Sequence, residues 1–165
     1  MFQRHYYCLI AGLKEIVLED NKSVISQPEF KNELKEVLHP KDFELIELLF
    51  LSYDNQNLLN LLLKKEEEKF IERGRYSEEY LNEQIKDPED IIPYLRDFII
   101  HFKDENSTNE KISWKNQLTE KYYNFLLSQR NEFVNQWFTF ELNLKNIQTA
   151  INCRKHNQPV NNQLI

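Results

Sequence analysis

The side chains that most often carry catalysis or bind metals are few in this sequence and lie far apart. Its four histidines are His5, His39, His101 and His156. None lies three or four residues from another, the spacing that puts two imidazoles on one helix face as metal ligands. His101 with Asp104 and Glu105 comes nearest to a metal-binding cluster, but a histidine ending a helix before a polar loop is the simpler interpretation. We predict no metal site.

The sequence also lacks the patterns of nucleophilic and nucleotide-dependent catalysis. It contains no Gly-x-Ser-x-Gly, His-Glu-x-x-His or Cys-x-x-Cys pattern. Gly12 and Gly74 are its two glycines, and phosphate-binding loops and dinucleotide fingerprints need several. Acidic pairs such as Glu66-Glu67 and Glu78-Glu79 are consecutive and therefore diverge on a helix surface. We predict no catalytic residue and no cofactor, although an enzyme site assembled from scattered side chains remains one of three functional hypotheses.

Charge and apolar patterning exclude further classes of function. The formal net charge is −6 and the basic residues are interleaved with acidic ones, which disfavours nucleic acid and anionic membrane surfaces as partners. No apolar stretch reaches the length of a membrane span, and the apolar N-terminal part lacks the length and cleavage site of a signal peptide. Cys8 and Cys153 are interpreted as reduced thiols of a cytoplasmic protein.

The elements that would position any site are helices, because helical start and stop signals recur along the chain. The predicted helix starts are Ser26–Pro28, Ser77, Asp87-Pro88 and Ser113. His39-Pro40 ends one helix, and Gly74 is predicted to cap another in the left-handed conformation. The fold class is therefore all-α, a multi-helix bundle with two similar helical units. The short apolar segment Tyr6–Leu13 fits a buried strand or a first helical turn equally well.

Several boundaries follow from the apolar periodicity. A third helix is predicted over 58–73, with the charge run Lys64–Lys69 as its solvated extension or, less simply, a docking surface. The last helix is predicted to follow Ser113 to about Arg154, with a bend near 135–140. Residues 19–23 and 104–111 are expected to be loops, and the polar tail 156–165 is expected to fray.

One pattern is written twice. Aligning Asn57 with Asn146, an offset of 89 residues, superimposes two stretches of helical periodicity. The paired residues are Asp54 with Asn143, Asn57 with Asn146, Leu58 with Ile147, Leu61 with Ala150, Leu62 with Ile151, and Lys65 with Arg154. The aliphatic positions would form a buried stripe, and the asparagine could bond the backbone of a neighbouring bend. The alternative is that any two amphipathic helices look this similar.

These residues carry a family resemblance. The pattern Asp/Asn-x-x-Asn-Leu/Ile-x-x-aliphatic-aliphatic, followed by Lys or Arg, resembles the repeated helix motif of the C-subunit family of V-type and archaeal-type ATPases, whose member in the eukaryotic vacuolar enzyme is the d-subunit. The stretches 6–13 and 48–58 are similar to a bacterial family of uncharacterised proteins encoded beside V-type ATPase genes. The sequence departs from the family at Gly12, and at Lys64 or Lys65, where an Arg is usual.

The resemblance implies a non-catalytic coupling part. The C-subunit links the rotor axle to the membrane proteolipid ring, so the partners implied are the V-type ATPase rotor subunits and that ring, with the chain peripheral at the membrane. Members of the C-subunit family are longer and contain three helical units. The chain is therefore interpreted as a single helical domain over 1–165, truncated or reduced, with repeat units of about 1–75 and 76–158. The alternative is a generic helical adaptor or regulatory protein that binds another partner.

Overall fold

The computed structural model describes residues 5–13, 25–65, 67–104, 113–160 and 163–165, and these residues form eight α-helices and no β-strand. The all-α prediction is therefore confirmed. The helices are α1 (Tyr7–Ala11), α2 (Gln27–Val37), α3 (Pro40–Leu48), α4 (Leu51–Leu62), α5 (Glu78–Lys86), α6 (Pro93–Lys103), α7 (Trp114–Leu127) and α8 (Glu132–Lys155).

The chain divides into two compact units, residues 1–47 and 48–165. In the first, Ser26 begins α2 with a capping box: its hydroxyl accepts the Glu29 backbone N–H, and the Glu29 carboxylate accepts the Ser26 backbone N–H. The Tyr6 hydroxyl donates to Asp42 at 2.5 Å and accepts the His39 backbone N–H at 3.2 Å. These bonds tie the segment before α1 to the first turn of α3.

The second unit is organised around α7, which packs against α4, α6 and α8, while α4 also packs against α5. Its core includes fully buried side chains of five helices, namely Leu51, Leu58, Leu81, Leu95, Phe98, Ile99, Leu126 and Phe138. Burying each leucine or phenylalanine stabilises the fold by about 1.5–3 kcal/mol. The Tyr94 ring stacks on Phe125 with centroids 5.0 Å apart, and the Tyr122 ring meets Phe138 edge to face. The helices that carry the first and second motifs, α4 and α8, thus both pack on α7.

The predicted third helix over 58–73 is wrong at both ends. α4 begins at Leu51 and ends at Leu62, and the charge run that follows is not helical in the residues described there. Lys64 adopts a positive φ of 52°, which ends the helix. The predicted left-handed cap at Gly74 is also wrong, because the φ of Gly74 is not positive. The chain after α4 is instead a returning segment, 67–77, that the first motif holds.

Two further helix boundaries differ from the sequence prediction. Asp87 is the C-terminal cap of α5, and the next helix begins at Pro93, because the proline that occupies the first turn of α6 is Pro93 and not Pro88. The long last helix is two helices: α7 ends at Leu127, and Asn131 caps α8 by accepting the Val134 backbone N–H. The break therefore lies at 128–131, before the predicted bend. The predicted loops at 19–23 and, except for Asp104, at 104–111 lie outside the described residues.

Candidate functional site

Asn57 in the middle of α4 binds the backbone of one residue in the returning segment. Its side chain is 1% exposed. The amide Nδ2 donates to the Ile71 carbonyl at 2.9 Å, and Oδ1 accepts the Ile71 N–H at 2.9 Å. An asparagine side chain presents one donor and one acceptor side by side, so it satisfies both backbone groups of a single residue, as a neighbouring β-strand would. We call this arrangement the first clamp.

Asp54, one helical turn before Asn57, extends the first clamp. Its carboxylate is fully buried and accepts the Arg75 N–H at 2.9 Å and the Tyr76 N–H at 3.1 Å. Burying a carboxylate is costly unless such charge-assisted bonds satisfy it. Gly74 is required here for close approach, because an added Cβ would lie 2.8 Å from the Asp54 carboxylate carbon. The motif residues Asp54 and Asn57 therefore fix 71–76 against α4.

Asn146 in α8 makes the same pair of bonds with a different isoleucine. Nδ2 donates to the main-chain oxygen of Ile165 at 2.7 Å, and Oδ1 accepts the Ile165 N–H at 3.1 Å. We call this arrangement the second clamp. It corrects the expectation that the tail frays throughout, since Ile165 is held by a partner 19 residues away in the sequence. Two asparagines that the sequence pattern aligned thus make the same local contacts.

The aliphatic positions of the two motifs differ in burial. Leu58 is fully buried and Leu61 and Leu62 are half-buried, whereas Ile147 and Ile151 are 57% and 59% exposed. The predicted buried stripe is therefore wrong for the second motif. The remaining pairs are Leu61 with Ala150, both half-buried, Lys65 with Arg154, both exposed, and Asp54 with Asn143, buried and exposed respectively. Both motifs lie within the unit 48–165, and the duplication over 1–75 and 76–158 stays a prediction.

A polar cleft of about 350 Å³ lies among α4, α7 and α8. Three lysines, Lys65, Lys115 and Lys145, line it together with Glu141 and Tyr123. The Tyr123 hydroxyl donates to the Glu141 carboxylate at 2.8 Å, and the Lys145 ammonium lies 5.6 Å from the centre of the Tyr123 ring. The cleft offers cationic and hydroxyl groups of the kind that hold a small anion.

The electrostatics of the cleft are set by burial. Desolvation lowers the pKa of Lys145 and the nearby Lys115 charge lowers it further, while Glu141 acts in the opposite direction. Desolvation is also the first cause of the raised pKa values of Tyr122 and Tyr123. No three potential metal ligands converge anywhere in the described part of the chain. For an enzyme site assembled from scattered side chains, this cleft is one place in the described part of the chain where titratable groups lie close together.

Sequence reasoning identified the two clamp asparagines and missed the groups they hold. Neither Ile71 nor Ile165 carries a signal, because the asparagines bind their backbones and not their side chains. The exposed apolar side of α8 was also missed, although a spacing of four, three, four, three and four residues between its large apolar side chains is visible in the sequence. Among the described residues, no helix is long and apolar enough to cross a membrane.

Comparison with known proteins identifies a family. A family model described as protein of unknown function (DUF2764) matches residues 3–165, so the chain belongs to that family. No curated protein and no solved structure matches it.

Proposed function

We propose that this DUF2764 chain is a non-catalytic central-stalk component of a V-type ATPase or ATP synthase, linking the rotor axle to the membrane proteolipid ring. The observation that carries the proposal is the doubled clamp. Asn57 and Asn146 stand 89 residues apart in the sequence, and each binds the main-chain N–H and the main-chain oxygen of a later isoleucine. The recurrence of both residue pattern and bonding supports the resemblance to the C-subunit family, whose helical units repeat this motif.

The character of the second unit also supports a mechanical function. A part that transmits rotation must keep its shape under load, and densely packed aromatic and aliphatic cores deform little. Tyr94, Tyr122, Phe125 and Phe138 form continuous ring contacts through the centre of this unit. The buried Asp54 carboxylate fixes the loop after α4 in one position. Such a part would work on the cytoplasmic side of the membrane and reach it through the complex.

Co-purification tests this proposal. The chain carrying an affinity tag is expressed in its own host, and membranes are solubilised in a mild detergent. We expect the rotor subunits and the proteolipid ring of a V-type ATPase to elute with the tagged chain in fixed proportion. An equally acidic helical protein with the same tag serves as the control and should retain neither. Recovery of the chain without rotor subunits or ring would reject the proposal.

A second candidate, a helical adaptor or regulatory protein, is favoured by the exposed apolar side of α8. Phe133, Trp137 and Phe140 are all more than 40% exposed on this helix, and large exposed aromatic groups mark protein interaction sites. The same co-purification separates the two candidates. An adaptor would elute in fixed proportion with proteins that do not belong to an ATPase, and its gene would have no ATPase genes beside it.

A further inference from the structure

The longest helix among the described residues, α8, carries an apolar face that remains exposed. Its six large side chains are between 44% and 67% exposed, and they are Phe133, Trp137, Phe140, Leu144, Ile147 and Ile151. Steps of four, three, four, three and four residues are the heptad spacing that places side chains in one row along a helix. We call this row the apolar seam. The opposite side of α8 buries Val134, Phe138 and Cys153.

The size of the apolar seam approaches that of a protein interface. Aromatic and aliphatic side chains exposed to this degree present on the order of 100 Å² each, so the seam exposes about 600 Å². Contiguous apolar patches on monomeric proteins are rarely larger than a few hundred Å². A stable interface buries about 800 Å² on each partner, polar rim included. The area therefore suits coverage by one further helix-bearing partner.

The order of side chains along the apolar seam favours a second, antiparallel copy of α8 as the partner. The first three members, Phe133, Trp137 and Phe140, are aromatic, and the last three are aliphatic. The row is also symmetric about the level of residue 142. An antiparallel second α8 would therefore place every aromatic ring against an aliphatic side chain, in the layers Phe133 with Ile151, Trp137 with Ile147, and Phe140 with Leu144.

The alternative orientation packs poorly. When every layer of a helix–helix contact pairs a large side chain with a smaller one, all layers have a similar volume. The two helix axes can then stay at a constant distance along the contact. A parallel second α8 would crowd three aromatic pairs at one end and leave three aliphatic pairs at the other. The helices would then have to diverge, since the distance between axes follows the size of the side chains at the contact.

Charge complementarity agrees with the antiparallel order. Glu132 lies in the first turn of α8, and Arg154 and Lys155 lie in the last. Antiparallel pairing brings the acidic end of each helix near the basic end of the other and opposes the two helix dipoles. Between these ends α8 carries two charged residues, Glu141 and Lys145. Both approach Tyr123 of α7, on the side of the polar cleft.

We propose that the apolar seam is the interface of an antiparallel homodimer, with α8 of a second copy lying along α8 of the first about a two-fold axis at the level of residue 142. Self-association by this face needs no change in the fold, since all six side chains are already exposed. The proposal goes beyond the coupling function and is independent of it, because it concerns the isolated chain.

Measuring the mass in solution over a wide concentration range tests the dimer. We expect twice the chain mass of 20.1 kDa at high concentration. The double variant Phe140→Asp, Leu144→Asp places charges in the two central layers and should raise the dissociation constant at least about a hundredfold. Ile100→Asp is the matched control, since Ile100 is 53% exposed on α6 of the same unit, and it should remain a dimer. Circular dichroism should give equal helix content for all three chains.

Cross-linking tests the orientation. In a Cys8→Ser background, which removes the exposed native thiol, Asn143→Cys should form a covalent dimer with a bis-maleimide cross-linker that spans about 10 Å. Two copies of residue 143 flank the two-fold axis, about 8–9 Å apart on helices whose axes are about 8–10 Å apart. Ile151→Cys should not, because two copies of residue 151 lie about 27 Å apart along antiparallel helices. A wild-type monomer at every concentration, a dimer that survives the double variant, or cross-linking through 151 but not 143 would each overturn the proposal.

Discussion

The two clamps repeat one bonding pattern in two different environments. Asn57 and Asn146 each bind the backbone of an isoleucine through the amide Nδ2 and Oδ1. The first clamp also contains the fully buried Asp54, whereas the aliphatic residues that follow Asn146, Ile147 and Ile151, are exposed. The position of Asp54 is taken in α8 by Asn143, which is exposed. The motif therefore specifies that a backbone segment is held, whereas burial depends on what packs around the helix.

The largest effect should come from the carboxylate that distinguishes the clamps. Asp54→Ala removes a fully buried carboxylate that accepts the Arg75 and Tyr76 N–H groups, and we expect a loss of about 3 kcal/mol in the free energy of unfolding. Asn143→Ala, at the matching exposed position, should change it by less than about 0.5 kcal/mol. Urea unfolding of both variants measures the two changes in the free energy of unfolding. Equal losses would mean that the two environments do not differ as described.

A smaller difference in the free energy of unfolding should distinguish substitution of the two asparagines. Asn57→Ala removes two bonds from a fully buried site and should cost about 2 kcal/mol, whereas Asn146→Ala, at a half-buried site, should cost about 1 kcal/mol because water replaces part of what is lost. Hydrogen exchange locates each effect: the amide of Ile71 should exchange faster in the first variant, and that of Ile165 in the second. Unchanged exchange at both isoleucines would contradict the clamp geometry.

The smallest effect concerns pH. Desolvation raises the pKa of Tyr76 from 10.0 to about 12 in the folded chain, with Asp54 contributing in the same direction and Arg75 opposing it. A group whose folded pKa is raised stabilises the fold fully below pH 10, and this contribution disappears as the pH rises from 10 to 12. We expect Tyr76→Phe to reduce the fall in melting temperature over this range by about 2 °C, after allowance for solvent screening.

The buried tyrosines of the cleft supply the control for this pH effect. The pKa values of Tyr122 and Tyr123 are raised by burial away from the first clamp, so their share of the alkaline destabilisation should persist in Tyr76→Phe. Tyr123→Phe should leave the exchange of the Ile71 amide unchanged at about pH 11, midway through the range in which Tyr76 ionises. If the melting temperature fell equally with pH in wild type and in Tyr76→Phe, Tyr76 would not be desolvated beside the first clamp.

The sequence predicts local structure well where a residue type strongly prefers one structural position. Ser26, Ser77 and Ser113 each cap a helix at the position that the sequence indicated, because a serine oxygen satisfies an otherwise unpaired N–H there. Asp87 shows the limit of such signals. An aspartate before a proline favours a helix start, yet Asp87 ends α5, since the chain needs a turn at 88–92 before Pro93 begins α6.

The helical class, the serine-capped starts of α2, α5 and α7 and the two clamp asparagines are readable from the amino-acid order, because capping and apolar periodicity depend on neighbours within a turn or two. Three features depend on the folded chain: the charge run after Leu62 leaves the helix, Gly74 makes room for the Asp54 carboxylate, and the clamps hold the backbones of Ile71 and Ile165. The clamp contacts join groups 14 to 22 residues apart, and such bonds leave no periodic signature in the sequence. The same holds for α8, whose apolar row is visible in the sequence but whose exposure depends on which helices pack beside it.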